Sequence, residues 1–407
     1  MTNKISNQIP AYITLLLFFI LAPFFCLSQQ TSDLSGKVTN ETGKPVNNCS
    51  VYFSNTSIGD VTADSGNFVL KNLPAGKYEM IISAIGYETI IIPVESNNYP
   101  SGLRITLHNI STQLSEVVVQ AVVKNGWQKW GQVFMDNFIG TVPNARHCQI
   151  TNPEVVKFWF SETKNRLTVR ADEALIIENK ALGYIIKFKL GEFVLDYNLQ
   201  SLVYSGYPFF QEMKDTTGKK EGEWKENRST AYYGSLLHFM RCVYNNQWQK
   251  MGYEIVTFSK QPNVEKQRVK KLLASAVPIQ TDSLGKPANK ENTPPPVPVT
   301  KDTSRYYRKI LRQPDSLAAF AWLTTLDSLL VNSEGGSKSL FFKNKLKVHY
   351  RRRPKSKERQ SEIYLGTPKA IRIEENGSYS PPKELIFSLH WSLTEKIANL
   401  LPFDYKP

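Results

Sequence analysis

The feature that most constrains the fold is a run of short apolar stretches between residues 34 and 107. The stretches lie at 34–38, 49–53, 68–70, 78–82, 89–92 and 103–107. The turns between them carry glycine or proline, at Gly43, Pro45, Gly66, Gly76 and Gly86. Short strands at regular spacing, separated by such turns, are typical of an antiparallel β-sandwich. We therefore predict an all-β sandwich over residues 29–110.

The turn segments of this region resemble a known module. They read GKPV at 43–46, TADSGNF at 62–68, LPAGKY at 73–78 and GY at 86–87. This pattern resembles the carboxypeptidase regulatory-like domain, which is a transthyretin-like β-sandwich. The resemblance implies a fold and no activity, because the module is attached to zinc carboxypeptidases, outer-membrane nutrient receptors and adhesins without being the catalytic part of any of them.

The chain departs from two of those contexts. A zinc carboxypeptidase needs a His-x-x-Glu pair, and no histidine of this chain has a glutamate at that spacing, among His108, His147, His238, His349 and His390. A nutrient receptor needs a plug and a long barrel, for which too few residues follow, although 114–119 resembles the segment that joins the module to such a plug. We expect no zinc carboxypeptidase activity, no metal site and no other cofactor.

An apolar stretch near the N-terminus predicts export. It covers residues 11–25, and Cys26 and Ser28 supply small residues at the two positions that a signal peptidase recognises. We predict a signal peptide over 1–28, with an uncleaved anchor or lipid attachment to Cys26 as alternatives. No later apolar run approaches the length of a spanning helix. The mature chain is therefore expected in the periplasm, at the outer membrane or at the cell surface, without a transmembrane segment.

The remainder reads as an α+β domain with antiparallel strands. A connector over 111–126 leads into a first part at 127–263, a proline-rich flexible linker occupies 264–304, and a second part covers 305–407. We expect the second part to pack back on the first. The predicted fold class is thus multidomain, with an all-β sandwich followed by an α+β domain that a disordered linker interrupts.

Periodicity places several elements within this domain. It predicts strands between 155 and 207, one helix over 226–244, partial helix over 316–331 and a short closing helix over 393–401. The region around 224–239, together with the ending EKIANLLPFDYKP, resembles a group of exported Bacteroidetes-type proteins that carry the same front module. That resemblance supports export and transfers no site residue.

The formal charge of +14 is unevenly distributed. Residues 301–360 carry fifteen basic and five acidic groups, and the densest run is RRRPKSKER at 351–359. Such a run could bind acidic polysaccharide, lipopolysaccharide phosphate or nucleic acid through charge alone, or it could be a solvated loop between two strands. Because a signal peptide removes the chain from the cytosol, we expect no nucleic-acid partner.

Three cysteines follow the predicted signal. An oxidising compartment would permit one bridge, and we predict Cys148–Cys242 because Cys49 belongs to a different module. Three buried free thiols are the alternative.

Two further sets of side chains are candidates for a site. Tyr204, Tyr207, Phe209 and Phe210 would suit sugar stacking or a protein partner if exposed, and would be core if buried. A hydrolase could use Glu223 and Glu226 as paired carboxylates, or Cys148 with His238, whereas a charged helix face and a core histidine are the alternatives.

No nucleophile elbow, phosphate loop or dinucleotide fingerprint occurs, so we assign no catalytic residue. Our leading hypothesis is an exported, non-enzymatic envelope protein. The sandwich would be its binding or spacer module, and the α+β domain would contact an envelope protein or polysaccharide. The alternatives are an envelope hydrolase acting on polysaccharide or peptide, and a carbohydrate-binding protein.

Overall fold

The computed structural model describes residues 32–73, 76–95, 102–110, 121–275, 301–333, 336–352 and 358–407. The predicted signal peptide, most of the predicted connector and the proline-rich centre of the predicted linker lie outside these residues. Within them the chain builds a β-sandwich and two further units, each around its own hydrophobic core. The expected fold class, a β-sandwich followed by an α+β part with antiparallel strands, is confirmed.

The sandwich consists of two facing sheets. Its described strands are β1 Ser32–Asn40, β2 Ser50–Phe53, β3 Gly59–Val61, β4 Asn67–Leu73, β5 Lys77–Ser83, β6 Ile90–Glu95 and β7 Leu103–Leu107. The strand orders are β4-β1-β7 and β3-β2-β5-β6. Leu34, Val38 and Phe53 are fully buried between the sheets. Gly66 has a φ of +75°, and a Cβ there would lie 2.4 Å from the carbonyl oxygen of Val38, so this turn requires glycine.

The second unit packs one helix on an antiparallel sheet. Its elements are α1 Gly126–Phe138, β8 Cys148–Ile150, β9 Val156–Ser161, β10 Arg166–Ala171, β11 Leu175–Asn179, β12 Tyr184–Asp196 and β13 Ser201–Glu212. The strand order is β8-β11-β12-β10-β9, and β13 pairs with β12 in a long hairpin. The core under α1 is aromatic, and it is completed from the far end of the chain by Ile397, Ala398 and Leu401.

The third unit is α+β and includes the described ends of the predicted linker, residues 264–275 and 301–304. Its helices are α2 Glu221–Tyr232, α3 Leu236–Tyr244, α4 Val264–Ser275, α5 Lys301–Leu311 and α6 His390–Thr394. Its described strands are β14 Tyr253–Pro262, β15 Ser316–Trp322, β16 Leu330–Asn332, β17 Lys338–Leu340, β18 Leu346–Tyr350, β19 Arg359–Leu365, β20 Ile371–Ile373, β21 Tyr379–Ser380 and β22 Leu385–Leu389. They form two sheets, ordered β15-β14-β18-β19-β22 and β16-β17-β20-β21.

The helix predicted over 226–244 is two helices. Gly234 separates α2 from α3 with a φ of +89°, and a Cβ there would lie 2.5 Å from the ring of Tyr350. Ser235 then caps α3, since its hydroxyl accepts a hydrogen bond from the backbone of His238 at 3.1 Å. The apolar period continues across this break, which is why the sequence pattern did not reveal it.

Other sequence-based boundaries also differ from the structure. Residues 264–275 and 301–304, which we assigned to the linker, belong to the helices α4 and α5, and these helices pack on each other through Val269, Tyr307 and Ile310. The stretch predicted as partly helical begins with β15, because its pairing with β14 over seven positions outweighs the helical preference of its alanines. The closing helix is instead α6 followed by a 3₁₀ turn at Ile397–Asn399.

Candidate functional site

A loop of the sandwich is held between two other parts of the chain. The backbone N–H of Asn55 donates to the carbonyl of Pro208 at 2.7 Å, and the N–H of Phe210 donates to the carbonyl of Thr56 at 3.0 Å. On the other side, the N–H of Phe403 donates to the carbonyl of Asn55 at 2.6 Å. Main-chain bonds on both sides therefore fix the sandwich to the second unit and to the C-terminal segment.

The four candidate aromatic residues lie in β13 at this junction. Phe210 is fully buried in the second unit, and the hydroxyl of Tyr204 donates to the carbonyl of Glu395 at 3.0 Å. The ring of Phe209 lies 5.1 Å from that of Tyr52 in the sandwich, whose hydroxyl donates to the carbonyl of Tyr207 at 3.1 Å. The four rings do not form one exposed plane. They build the core and the contact with the sandwich.

A cavity of about 490 Å³ opens beside this contact, and we call it the junction cleft. It lies where the sandwich loop, α2, the β12–β13 hairpin and the C-terminal segment meet. Its lining residues are Ser57, Tyr184, Glu212, Met213, Glu221, Trp224, Lys225, Arg228, Pro402, Asp404, Tyr405, Lys406 and Pro407. The volume lies within the range of small-ligand sites.

The inner wall of the cleft is rigidly organised around Arg228. Its guanidinium donates to the carbonyl of Leu182 at 2.7 Å and to Glu212 at 2.9 Å, and it lies 4.0 Å from the centre of the Tyr184 ring. Burial raises the pKa of Tyr184 above its ordinary value. The indole of Trp224 donates to the carbonyl of Lys180 at 2.9 Å. These bonds dock α2 on the turn before β12, so the aromatic wall is preformed.

The opposite wall is held in place by one arginine of α3. Arg241 donates to the carbonyls of Phe403 and Tyr405 at 3.0 Å each, and to the carbonyl of Asn376 at 2.9 Å. The segment that it positions carries Asp404, whose carboxylate accepts hydrogen bonds from the backbone and hydroxyl of Ser57. The cleft therefore depends on residues that are far apart in sequence.

The rim of the cleft carries charges of both signs. Glu221, Lys225 and Lys406 are exposed there, next to the aromatic wall. Tyr184 and Trp224 are themselves buried, so the exposed groups of the rim are these mixed charges, which suit a polar ligand such as a saccharide or a peptide segment. Glu212, Arg228 and Asp404 already use their charged groups within the protein, so they shape the site more than they recognise an occupant.

The residues considered for a hydrolase do not line one common cavity. Glu223 and Glu226 are exposed on α2 and do not line the cleft, whereas Cys148 is buried in the core of the second unit. His238 is buried in α3, where it is 1% exposed. Within the described ranges, no three His, Cys, Asp or Glu side chains are grouped to hold a metal ion.

His238 is enclosed by tyrosine rings. Its Nδ1 accepts a hydrogen bond from the backbone of Gly234 at 3.2 Å and lies 2.9 Å from the hydroxyl of Tyr253, so we assign the proton of the neutral ring to Nε2. Burial lowers the pKa of His238 to about 4, with further contributions from the positive charges of Arg241 and Arg352. It is a neutral core histidine at ordinary pH.

The three described cysteines are free and buried. Cys49 lies in the sandwich core, Cys148 in the core of the second unit and Cys242 in that of the third. The predicted Cys148–Cys242 bridge is therefore not formed, because its two thiols lie in different cores. Burial raises the pKa of Cys49 to about 11 and those of Cys148 and Cys242 to about 12, so none is a reactive thiolate.

A second cavity, of about 620 Å³, adjoins the start of the basic run at 351–359. Arg352 lies 4.4 Å from the centre of the Tyr233 ring, and Arg351 donates to Glu358 at 2.8 Å. The first contact anchors the start of the run on the third unit, and the second joins the two ends of the run to each other. The residues between them, 353–357, lie outside the described ranges.

The sequence analysis missed the roles of Tyr184, Asp404 and Glu395. The first two line the cleft through contacts between distant segments, for which no local pattern exists. Glu395 accepts a hydrogen bond from the backbone of Leu236 at 3.0 Å, and burial raises its pKa to about 7. A lone glutamate before an apolar stretch gives no signal of such an environment.

Comparison with known proteins identifies the sandwich. A search of solved structures returns, among others, a protein of unknown function from Bacteroides fragilis, described as a candidate membrane-associated protein. That match covers 84% of this chain and 93% of the other at 11% identity, with a TM-score of 0.16, which supports no argument. Curated proteins give no match.

Among the described helices, none is both long and apolar enough to cross a bilayer. The model of the CarboxypepD_reg-like domain family matches residues 34–119. The front of the chain, with its two facing sheets and glycine turns, is thus a carboxypeptidase regulatory-like domain.

Proposed function

We propose that this chain is an exported, non-enzymatic protein of the cell envelope that binds an envelope protein or polysaccharide in the junction cleft. One observation carries the proposal: Ser57 of the sandwich, Trp224 of α2 and Asp404 of the C-terminal segment line the same preformed cavity. In this proposal the sandwich is a fixed wall of the binding site and not a detached spacer.

The placement in the envelope rests on the sequence. The apolar run over 11–25 and the small residues that follow it are typical of a secretory signal. The binding role rests on the cleft, whose aromatic wall is preformed by Arg228 and whose rim is charged. A hydrolase is less well supported, because Glu223 and Glu226 are exposed outside the cleft whereas His238 and Cys148 are buried.

The test compares capture of envelope material by two variants of equal charge. Lys225→Glu with Lys406→Glu alters the exposed rim of the cleft, whereas Lys214→Glu with Lys219→Glu alters exposed lysines that do not line it. The folded chain, expressed from Gln29, is immobilised and exposed to separate protein and polysaccharide fractions of an envelope extract.

We expect one fraction to contain a component that the unchanged chain and the control variant retain and the rim variant loses, by about tenfold or more in bound amount, since two charged contacts are reversed. Retention of the same components by both variants would contradict a site in the cleft. Turnover of a retained polysaccharide or peptide would favour the hydrolase instead.

A further inference from the structure

The hairpin of β14 and β15 carries a helical extension, and we call the whole segment the basic arm: β14, α4, α5 and β15. The ladder between the strands runs from Val256 with Trp322 to Pro262 with Ser316. Beyond it, the N–H of Asn263 donates to the carbonyl of Asp315 at 2.8 Å, and the buried side chain of Asn263 caps α4 by accepting from Lys266 at 3.0 Å. The helices are therefore held firmly at the tip of the hairpin.

The arm is strongly basic. Residues 264–275 and 301–315 contain nine basic groups, at Lys266, Arg268, Lys270, Lys271, Lys301, Arg305, Arg308, Lys309 and Arg312, and three acidic groups, at Glu265, Asp302 and Asp315. Glu265 pairs with Arg268 at 2.6 Å, and Asp315 pairs with Lys266 and Lys270 at 3.1 Å and 2.8 Å. Most of the negative charge is thus used inside the arm.

Four of the basic groups form a stripe along α5 and its end. Arg305, Arg308, Lys309 and Arg312 follow one another at helical spacing and are all exposed. The opposite side of the helix, with Tyr307 and Ile310, packs on α4. In the described part of the chain, no salt bridge uses any residue of the stripe. Because it faces away from the protein, the stripe can meet an anionic surface.

Large aromatic side chains are exposed on the same arm. Phe320 is 57% exposed and Trp322 is 61% exposed, on one face of β15. The two residues are separated by Ala321 on β15, and among the described residues this strand pairs only with β14. Lys347 lies 5.5 Å from the centre of the Phe320 ring, so positive charge also borders the aromatic pair.

We propose that the basic arm docks on the surface of an anionic lipid bilayer, beyond the ligand binding proposed for the cleft. The stripe on α5 would lie on the lipid phosphates, and Phe320 and Trp322 would enter the headgroup region, where amphipathic aromatic rings are favoured. Charge alone would also attract a soluble polyanion, but exposed aromatic side chains on the same arm favour an interface that has an apolar side.

The experiment measures binding to vesicles by flotation. The chain is expressed from Gln29, because the apolar run at 11–25 would itself enter a bilayer. Vesicles of equal parts phosphatidylglycerol and phosphatidylcholine are compared with vesicles of phosphatidylcholine alone. We expect binding only to the anionic vesicles, and we expect it to weaken as salt is added. Absence of binding to the anionic vesicles would overturn the proposal.

Two variants locate the contact. Arg305→Glu, Lys309→Glu and Arg312→Glu together should weaken binding by about a hundredfold or more. The matched control reverses the exposed Lys37, Lys44 and Lys71 of the sandwich and has the same net charge. It should bind almost as well as the unchanged chain. Equal losses in both variants would mean that net charge, and not the arm, causes binding.

A second pair separates lipid from soluble polyanion. Phe320→Ser with Trp322→Ser keeps every charge and should reduce vesicle binding by about tenfold, since two interfacial aromatic anchors are lost. Heparin binding should be unchanged in this variant. The proposal fails if the unchanged chain binds heparin and if the unchanged chain and the serine variant bind the anionic vesicles equally well. In that case the arm recognises polyanions in general. Unchanged circular dichroism and melting temperature show that each variant is folded.

Discussion

The sandwich and the rest of the chain differ in how their cores are assembled along the sequence. All core residues of the sandwich come from one continuous stretch, from Leu34 to Leu107. The core of the second unit includes Ile397, Ala398 and Leu401, which lie near the far end of the chain. The core of the third unit combines residues of α3 and β14 with strands that follow the predicted linker. A continuous core can be recognised from local turns, whereas a discontinuous core depends on contacts that no local pattern encodes.

The sharpest test of this comparison removes one large core side chain from each region. Trp391→Ala should destabilise the third unit by about 3–5 kcal/mol, because the buried indole contacts Phe239 and donates to the carbonyl of Gly234 at 2.9 Å. Phe53→Ala should cost a similar amount in the sandwich. Hydrogen exchange should accelerate mainly within the altered core. Equal acceleration in both regions would show one cooperative unit and break the distinction.

The next largest effect is expected at Arg241, which joins α3 to the C-terminal segment. Arg241→Met keeps the aliphatic stem and removes the bonds to Asn376, Phe403 and Tyr405. We expect a loss of about 2–3 kcal/mol in urea unfolding and faster exchange at 403–405, because partly buried carbonyls lose a charged donor. Arg104→Met, an exposed arginine of the sandwich, is the control. Equal stability of the two variants would mean that the C-terminal segment is held by other contacts.

A smaller effect should depend on pH. Burial raises the pKa of Glu395 to about 7 from an ordinary value of 4.5. Between pH 4.5 and about pH 7 the carboxyl of Glu395 is ionised in the unfolded chain but still protonated in the folded chain, so rising pH lowers the free energy of unfolding. This loss of stability is complete above the pKa of the folded chain. Glu395→Gln cannot ionise and keeps the acceptor for Leu236. It should exceed the unchanged chain in stability by about 1–2 kcal/mol at about pH 8, and by little at about pH 4.5.

His238 acts in the opposite direction in part of the same pH range. Its pKa is lowered to about 4, so the stability that it contributes is present above its ordinary value of 6.5 and is lost as pH falls towards 4. Because both chains contain His238, its effect cancels in their difference. A stability difference that is the same at both pH values would show that Glu395 is not responsible.

The comparison of the two regions also explains which features of the fold the sequence could predict. The turn at Gly66 needed glycine for a local steric reason, and the pattern located it. Gly234 breaks a helix for a reason that involves Tyr350, over a hundred residues away, and the pattern missed it. β15 was read as partly helical because its pairing with β14 crosses the whole predicted linker.

The candidate site follows the same rule. Trp224, Arg228 and Asp404 were all visible in the sequence, but nothing there shows that they share a cavity with Ser57. The aromatic residues of β13 were recognised as a group, whereas their division between the core and the contact with the sandwich depends on which face of the strand each one occupies. The sequence showed which residue types were available for a site, but it did not show which of them lie close together.

The smallest predicted effect tests whether the two regions are joined as firmly as their main-chain bonds suggest. Asp404→Ala removes the carboxylate that accepts from the backbone of Ser57 at 3.1 Å and from its hydroxyl, and it leaves the bonds of Asn55 in place. Because these groups are partly exposed, we expect a loss of only about 0.5–1 kcal/mol, seen as faster amide exchange at Ser57. Asp64→Ala, on the sandwich surface, should leave that amide unchanged. If Asp404→Ala instead let the sandwich tumble independently, as nuclear magnetic relaxation would show, the side-chain contact and not the main-chain bonds would be holding the regions together, and the junction cleft would have no fixed wall.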